Sequence, residues 1–204
     1  MISRLAKSSA CFFVDNNIIK AEDEEVYSYG MELLLSTVFN FIVAITIALL
    51  TRSFLPCLIN LTAFLTLRVN AGGYHADSHM GCTMTLAFVL LIFIFTVKYL
   101  PENAMMIYSL IMLMISDIII IMLAPVEHPN KPLNADKRKR LKNRSVIWAG
   151  IWTVFCIVFL VLNVKICFYA VSGVFTIAVA MVAESSKGMI RTKSKVKDRS
   201  ANKK

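Results

Sequence analysis

Two histidines, a glycine pair and a cysteine stand together in the stretch NAGGYHADSHMGC, Asn70 to Cys82, of a chain that offers little other polar chemistry. A thiol is a strong nucleophile near neutral pH once a base or a positive charge lowers its pKa. Histidine is the side chain that ordinarily exchanges protons in that range. His75 and Cys82 are therefore candidates for base and nucleophile. Gly72 and Gly73 permit backbone angles that other residues avoid, so the chain can turn sharply there or approach a substrate closely. On one straight helix His75 and Cys82 would share a face but stand about 10.5 Å apart along the axis. An imidazole takes a thiol proton only at roughly 3 Å. A working dyad thus requires a bend between them, and Gly81 is the obvious hinge. Cys82 would then lie near the start of the next helix, where the helix dipole favours negative charge.

The same residues admit two other readings. His75, His79 and Cys82 have ligand-like spacing for a metal on a helix, although HADSH lacks the glutamate of the HExxH hydrolytic pattern. The stretch could also be a plain turn with an incidental cysteine. From the residues alone the dyad, the metal site and the turn all stay open.

The elements that must position this stretch are apolar. Of 204 residues, 57% are hydrophobic and only 17% charged, against about 25% charged in soluble domains. Several runs approach the ~20 residues a helix needs to cross a bilayer core. The chain reads as an all-α integral membrane protein of about six transmembrane helices. The spans fall at Glu32–Thr51, Phe54–Val69, Cys82–Leu100, Ala104–Val126, Val146–Asn163 and Ile166–Glu184. The second is short, reaching only about 24 Å. An N-terminal interfacial or cytosolic segment, 1–31, precedes the membrane domain of 32–184, which contains the candidate loop 68–82. A basic tail, 185–204, follows. Acids scattered through the first 30 residues, with no early apolar run, do not fit a signal peptide.

Charge sets the expected orientation. Lys and Arg crowd into Lys131–Arg144 and the tail, whereas the connections at Arg52, Lys98 and Lys165 carry one basic residue each. Both termini and the 68–82 loop then face the cytoplasm. The net charge of +9 follows from topology and contact with anionic lipid, with no need for nucleic acid. The five cysteines do not suggest disulfides. Cys57, Cys156 and Cys167 lie in or beside apolar runs, where cysteine acts as a small hydrophobe.

Asp117 sits near the middle of the fourth span, where a carboxylate should face the protein interior and find a partner or a proton. It is either a functional contact or a hydrogen-bonded packing residue. The functional option makes a small proton-coupled transporter or peptide exporter the alternative to an enzyme. After that span, APVEHPNKPL has three prolines and cannot continue a helix.

Six hydrophobic spans, RVNAGGYHADSHMGC after the second and APVEHPNKPL after the fourth together resemble the accessory gene regulator B (AgrB) family over nearly the whole chain. The resemblance implies a membrane cysteine endopeptidase of bacterial quorum sensing. It would cut the C-terminal tail from a small AgrD-like propeptide and promote closure of a thiolactone or lactone ring. It implies His75 and Cys82 as the catalytic pair, with Arg68, Gly73 and Lys131 in positioning roles. It implies no metal and no cofactor, and a homodimer among membrane lipids. Here His128, Pro129 and Asn130 precede Lys131, where family members often carry several lysines. Asp117 receives no role from the resemblance.

Overall fold

The computed structural model describes residues 2–16, 18–72, 79–126 and 134–201, and their regular structure is entirely helical. The helices are α1 (Ile2–Asp15), α2 (Glu24–Leu50), α3 (Phe54–Ala71), α4 (His79–Tyr99), α5 (Glu102–Leu123), α6 (Ala135–Leu162) and α7 (Val164–Ala201). Six of them, α2 to α7, are long and apolar enough to cross a membrane. Apolar side chains dominate the spanning part of each, as the hydrocarbon core of a bilayer requires.

Three boundaries differ from those expected. The first spanning helix begins at Glu24 rather than Glu32, so Tyr27 and Tyr29 are helical. The basic run KRKRLKN is the first part of α6, continuous with its apolar part. The basic tail prolongs α7 to Ala201. Lys, Arg and Glu are good helix formers, and neither run contains a proline to stop the helix. Proline does separate α4 from α5, with Pro101 preceding the first residue of α5 in extended geometry. Between α6 and α7, Asn163 accepts the Ile166 N–H on Oδ1 (3.3 Å).

The chain divides into two compact units, Met1–Arg52 with Asp77–Leu90, and Ser53–Ala76 with Leu91–Lys204. In the first, α1 lies on α2. Ala6 and Ala10, one turn apart, are fully buried, while Leu5 and Phe12 are exposed. Ser3 donates to Glu32 (2.7 Å), and the Cys11 thiol donates to Glu24 (3.3 Å). That bond, with smaller contributions from burial and acidic neighbours, pushes the Cys11 thiol up from its ordinary range.

In the second unit α7 is the central helix, and α3, α5 and α6 pack on it. Ala170, Val171, Val174, Ile177, Ala178 and Met181 are fully buried. Lipid supplies no hydrophobic drive for helices to associate, so close packing of small residues and polar bonds must hold them. Both are present. A Cβ on Gly173 would collide with the Asn60 carbonyl oxygen and come within 3.0 Å of the Ala63 Cβ, so α3 and α7 meet backbone to backbone. Asn60 Nδ2 donates to the Tyr169 carbonyl (3.4 Å), and Trp152 Nε1 donates to Thr66 Oγ1 (2.9 Å). Asp117, half-buried on α5, accepts from Thr153 of α6 at Oδ2 (2.8 Å).

The ends of this unit are tied as well. Lys165 pairs with Glu102 (2.8 Å), joining the α6–α7 and α4–α5 connections. The Val126 N–H donates to the Ala71 carbonyl (2.9 Å), joining the ends of α3 and α5. The Ala124–Pro125 peptide bond beside it is cis.

Candidate functional site

α4 begins at His79, and its first turn carries Gly81, Cys82 and Thr83. Opposite stands Asn40 of α2. Thr83 Oγ1 donates to Asn40 Oδ1 (2.6 Å), and Asn40 Nδ2 donates to Cys82 Sγ (3.8 Å). All three side chains are half-buried. Asn40 is eight residues past Glu32 and ten before Leu50, or about 12 and 15 Å along the axis. The sulfur is thus held beside the middle of the apolar run Met31–Leu50.

Gly81 is not a hinge. It lies within continuous α-helix, and its carbonyl accepts the Thr85 hydroxyl (2.8 Å). The bend expected between His75 and Cys82 lies outside the described residues. So do His75, Gly73 and Lys131 themselves, and so does the side chain of His79, on which the metal reading depends. Cys82, Arg68 and Asp117 are the sequence candidates whose side chains the structure places.

Arg68 is half-buried on the last turn of α3, where a cation complements the helix dipole. Its carbonyl accepts the Gly72 N–H (3.2 Å). Gly72 has φ +76°, and a Cβ there would stand 2.6 Å from the Val126 carbonyl oxygen. Only glycine suits both the backbone angle and the approach. With the Ala71–Val126 bond, this means that the chain leaves for 73–78 and for 127–133 from one spot. The two polar stretches singled out in the sequence therefore start side by side. On the first turns of α6, Lys137, Arg140 and Arg144 line a cavity of about 410 Å³ together with Asn134, Asp136 and Leu141. Positions 137, 140 and 144 share one helix face, giving a cationic stripe suited to an anionic partner.

The remaining cysteines have other surroundings. Cys57, Cys156 and Cys167 are buried in the second unit, and Cys11 is tied to Glu24. Asp117 Oδ1 is buried with no hydrogen-bond partner among the described residues. Sequence reasoning missed Asn40. The available signal was a lone amide in the middle of VFNFIV, since a polar side chain at that depth needs a partner.

The family model described as accessory gene regulator B matches residues 6–183. The chain is 34% identical to the accessory gene regulator protein B of Staphylococcus intermedius over 132 residues, 63% of this chain and 68% of that protein. It is 30% identical to an AgrB-like protein of Listeria innocua over 138 residues, 65% of this chain and 66% of that protein. An AgrB-like protein of Clostridium perfringens is 28% identical over 131 residues, 61% of each chain. The chain thus spans about two thirds of the length of these relatives. No solved structure matches it.

Proposed function

We propose, from the premise that this chain belongs to the accessory gene regulator B family, that it is a membrane cysteine endopeptidase acting on an AgrD-like signal propeptide. The family works in the processing of quorum-sensing peptides, and an AgrD-like propeptide is the partner it implies. The observation that carries the finer reading is the setting of Cys82. It is half-buried in the first turn of α4, and its sulfur meets a side-chain amide, whereas Cys57, Cys156 and Cys167 are buried in the second unit, the last two against one another.

In this reading His75 takes the proton of Cys82, and the thiolate attacks the carbonyl at the junction of core and tail. A C–S bond forms and the carbonyl π pair moves to oxygen. When that pair returns, the C–N bond breaks and His75 returns its proton to the leaving amine. The core stays on Cys82 as a thioester until a cysteine or serine of the propeptide attacks it and closes a thiolactone or lactone ring. Water must be kept out, because hydrolysis would give a linear product. The location of Cys82 beside the middle of an apolar helix supports that exclusion.

Arg68, Lys131 and the Lys137–Arg140–Arg144 stripe are positioning charges for the acidic tail of the propeptide, and Gly73 shapes the loop. The site and both termini face the cytoplasm, and the protein works as a homodimer. No step uses a metal or an organic cofactor. Asp117 takes no part in the steps, and its bond to Thr153 supports a packing role.

The test is co-expression with a tagged AgrD-type propeptide. Cys82→Ala and His75→Ala should each abolish the shortened product. A propeptide lacking its ring-closing nucleophile should accumulate as a thioester on Cys82, visible by mass. Processing that survives Cys82→Ala but is lost in Asp117→Asn would sink the endopeptidase and favour the transporter.

A further inference from the structure

We propose that Asn40 is a catalytic residue of this site. Its side-chain amide, aimed by Thr83, donates to the oxygen that becomes negative when Cys82 attacks a carbonyl. The proposal rests on the reading of Cys82 as the nucleophile. It supplies what that mechanism lacks, a donor for the oxyanion.

The amide has a defined direction. Oδ1 can only accept, and the Thr83 hydroxyl donates to it at 2.6 Å. Nδ2 is thereby turned to Cys82 Sγ at 3.8 Å, within reach for the larger sulfur atom. A flipped amide would aim Oδ1 at the sulfur, an acceptor against a group that becomes anionic. Thr83 and Cys82 are neighbours in one helical turn, so the residue that aims the amide moves with the nucleophile it serves.

The reaction then shifts the demand for a donor by two bonds. As the thiolate adds, the C–S bond forms and the charge leaves sulfur for the carbonyl oxygen. Sulfur bonded to two carbons is a weak acceptor, so the Nδ2 hydrogens are free for the new oxyanion beside it. A donor already aimed at developing charge, in a site shielded from water, is among the largest single contributions to acyl transfer. An asparagine used only to join two helices would make the same ground-state bonds but would not discriminate between reactions of the same thiol. That difference can be measured.

The full-length chain, with Cys11, Cys57, Cys156 and Cys167 changed to Ala, is placed in phosphatidylglycerol-containing nanodiscs. Cys82 is then offered two electrophiles. Iodoacetamide alkylates sulfur with loss of iodide and forms no oxyanion. The S-benzyl thioester of N-acetylglycine acylates it through an oxyanion, which collapses to expel benzyl thiolate. Asn40→Leu should lower the acylation rate by about 100-fold while leaving alkylation within roughly threefold. Thr83→Val, which leaves Asn40 in place but no longer aims it, should lower acylation by about tenfold, and Thr83→Ser should restore it. The Thr83 pair carries the test even where Asn40→Leu does not fold. Rates that fall together for both electrophiles, or acylation that does not fall, would overturn the proposal. The endopeptidase reading is judged separately, by cleavage of the tagged propeptide. If Cys82→Ala stops cleavage while Asn40→Leu leaves the ratio of rates unchanged, only the role of Asn40 is lost.

Discussion

α7 and α2 are comparably apolar, yet 61% of the spanning part of α7 is buried within the protein and only 11% of that of α2. Hydropathy does not separate them. Backbone-close packing of small residues does. α7 presents Ala170, Gly173 and Ala178 to its neighbours, and its Tyr169 carbonyl accepts from Asn60 of α3. α2 turns Leu33, Phe39, Ile42 and Leu49 outward. Deep in its apolar run Asn40 makes two polar bonds, donating to Cys82 and accepting from Thr83. The closed helix is scaffold. The open one carries Asn40, the partner of Cys82 and Thr83.

The sharpest way to break this contrast is at Gly173. A methyl group there meets the Asn60 carbonyl and the Ala63 Cβ, and neither backbone can retreat without opening the bundle. Gly173→Ala should destabilise the protein by about 2 kcal/mol, in the range of overpacked cores, and Gly173→Leu should prevent folded protein from accumulating. Thermal unfolding in detergent reads both. A Gly173→Ala protein that melts like wild type would mean that α3 and α7 are not in backbone contact.

A smaller effect is expected at the Asp117–Thr153 bond. Side-chain hydrogen bonds between membrane helices average about 0.6 kcal/mol, so Asp117→Leu and Thr153→Val, which each remove the bond, should each cost about that much and the double variant little more. Propeptide processing should stay within roughly twofold of wild type on the same energy scale. Full loss of processing in Asp117→Asn with unchanged melting would put chemistry in the scaffold, and the division between closed and open helices would fail.

The six spans were legible because lipid demands length and hydrophobicity in a continuous run, and both can be read locally. Cys82 at the head of α4 was legible for a related reason, since a glycine-rich polar stretch must end where the apolar run begins. The extent of α6 and α7 was not, because a basic run reads equally well as loop or as solvated helix until its connection to the span is seen. Spacing alone suggests a hinge at Gly81, but a glycine in a helix costs only about 1 kcal/mol relative to Ala and need not bend it. Gly72, by contrast, is a glycine that the backbone does require, and its demand comes from Val126, more than 50 residues away. Asn40 lay in plain view in VFNFIV. Its partners were 42 and 43 residues distant, and no local pattern announces such a pairing.

The finest test repeats the Gly173 substitution where the contrast predicts the opposite sign. Gly30 lies on α2, exposed, with nothing within 4 Å of where a Cβ would stand. Gly30→Ala adds no collision and removes the flexibility that glycine brings to a helix, a gain of up to about 1 kcal/mol. The same methyl group should therefore raise the melting temperature slightly at residue 30 and lower it clearly at residue 173. If Gly30→Ala is instead destabilising in the assembled protein but not in dilute detergent, another surface must press on α2 at that point. The exposed face of α2 would then be an interface between copies of the chain.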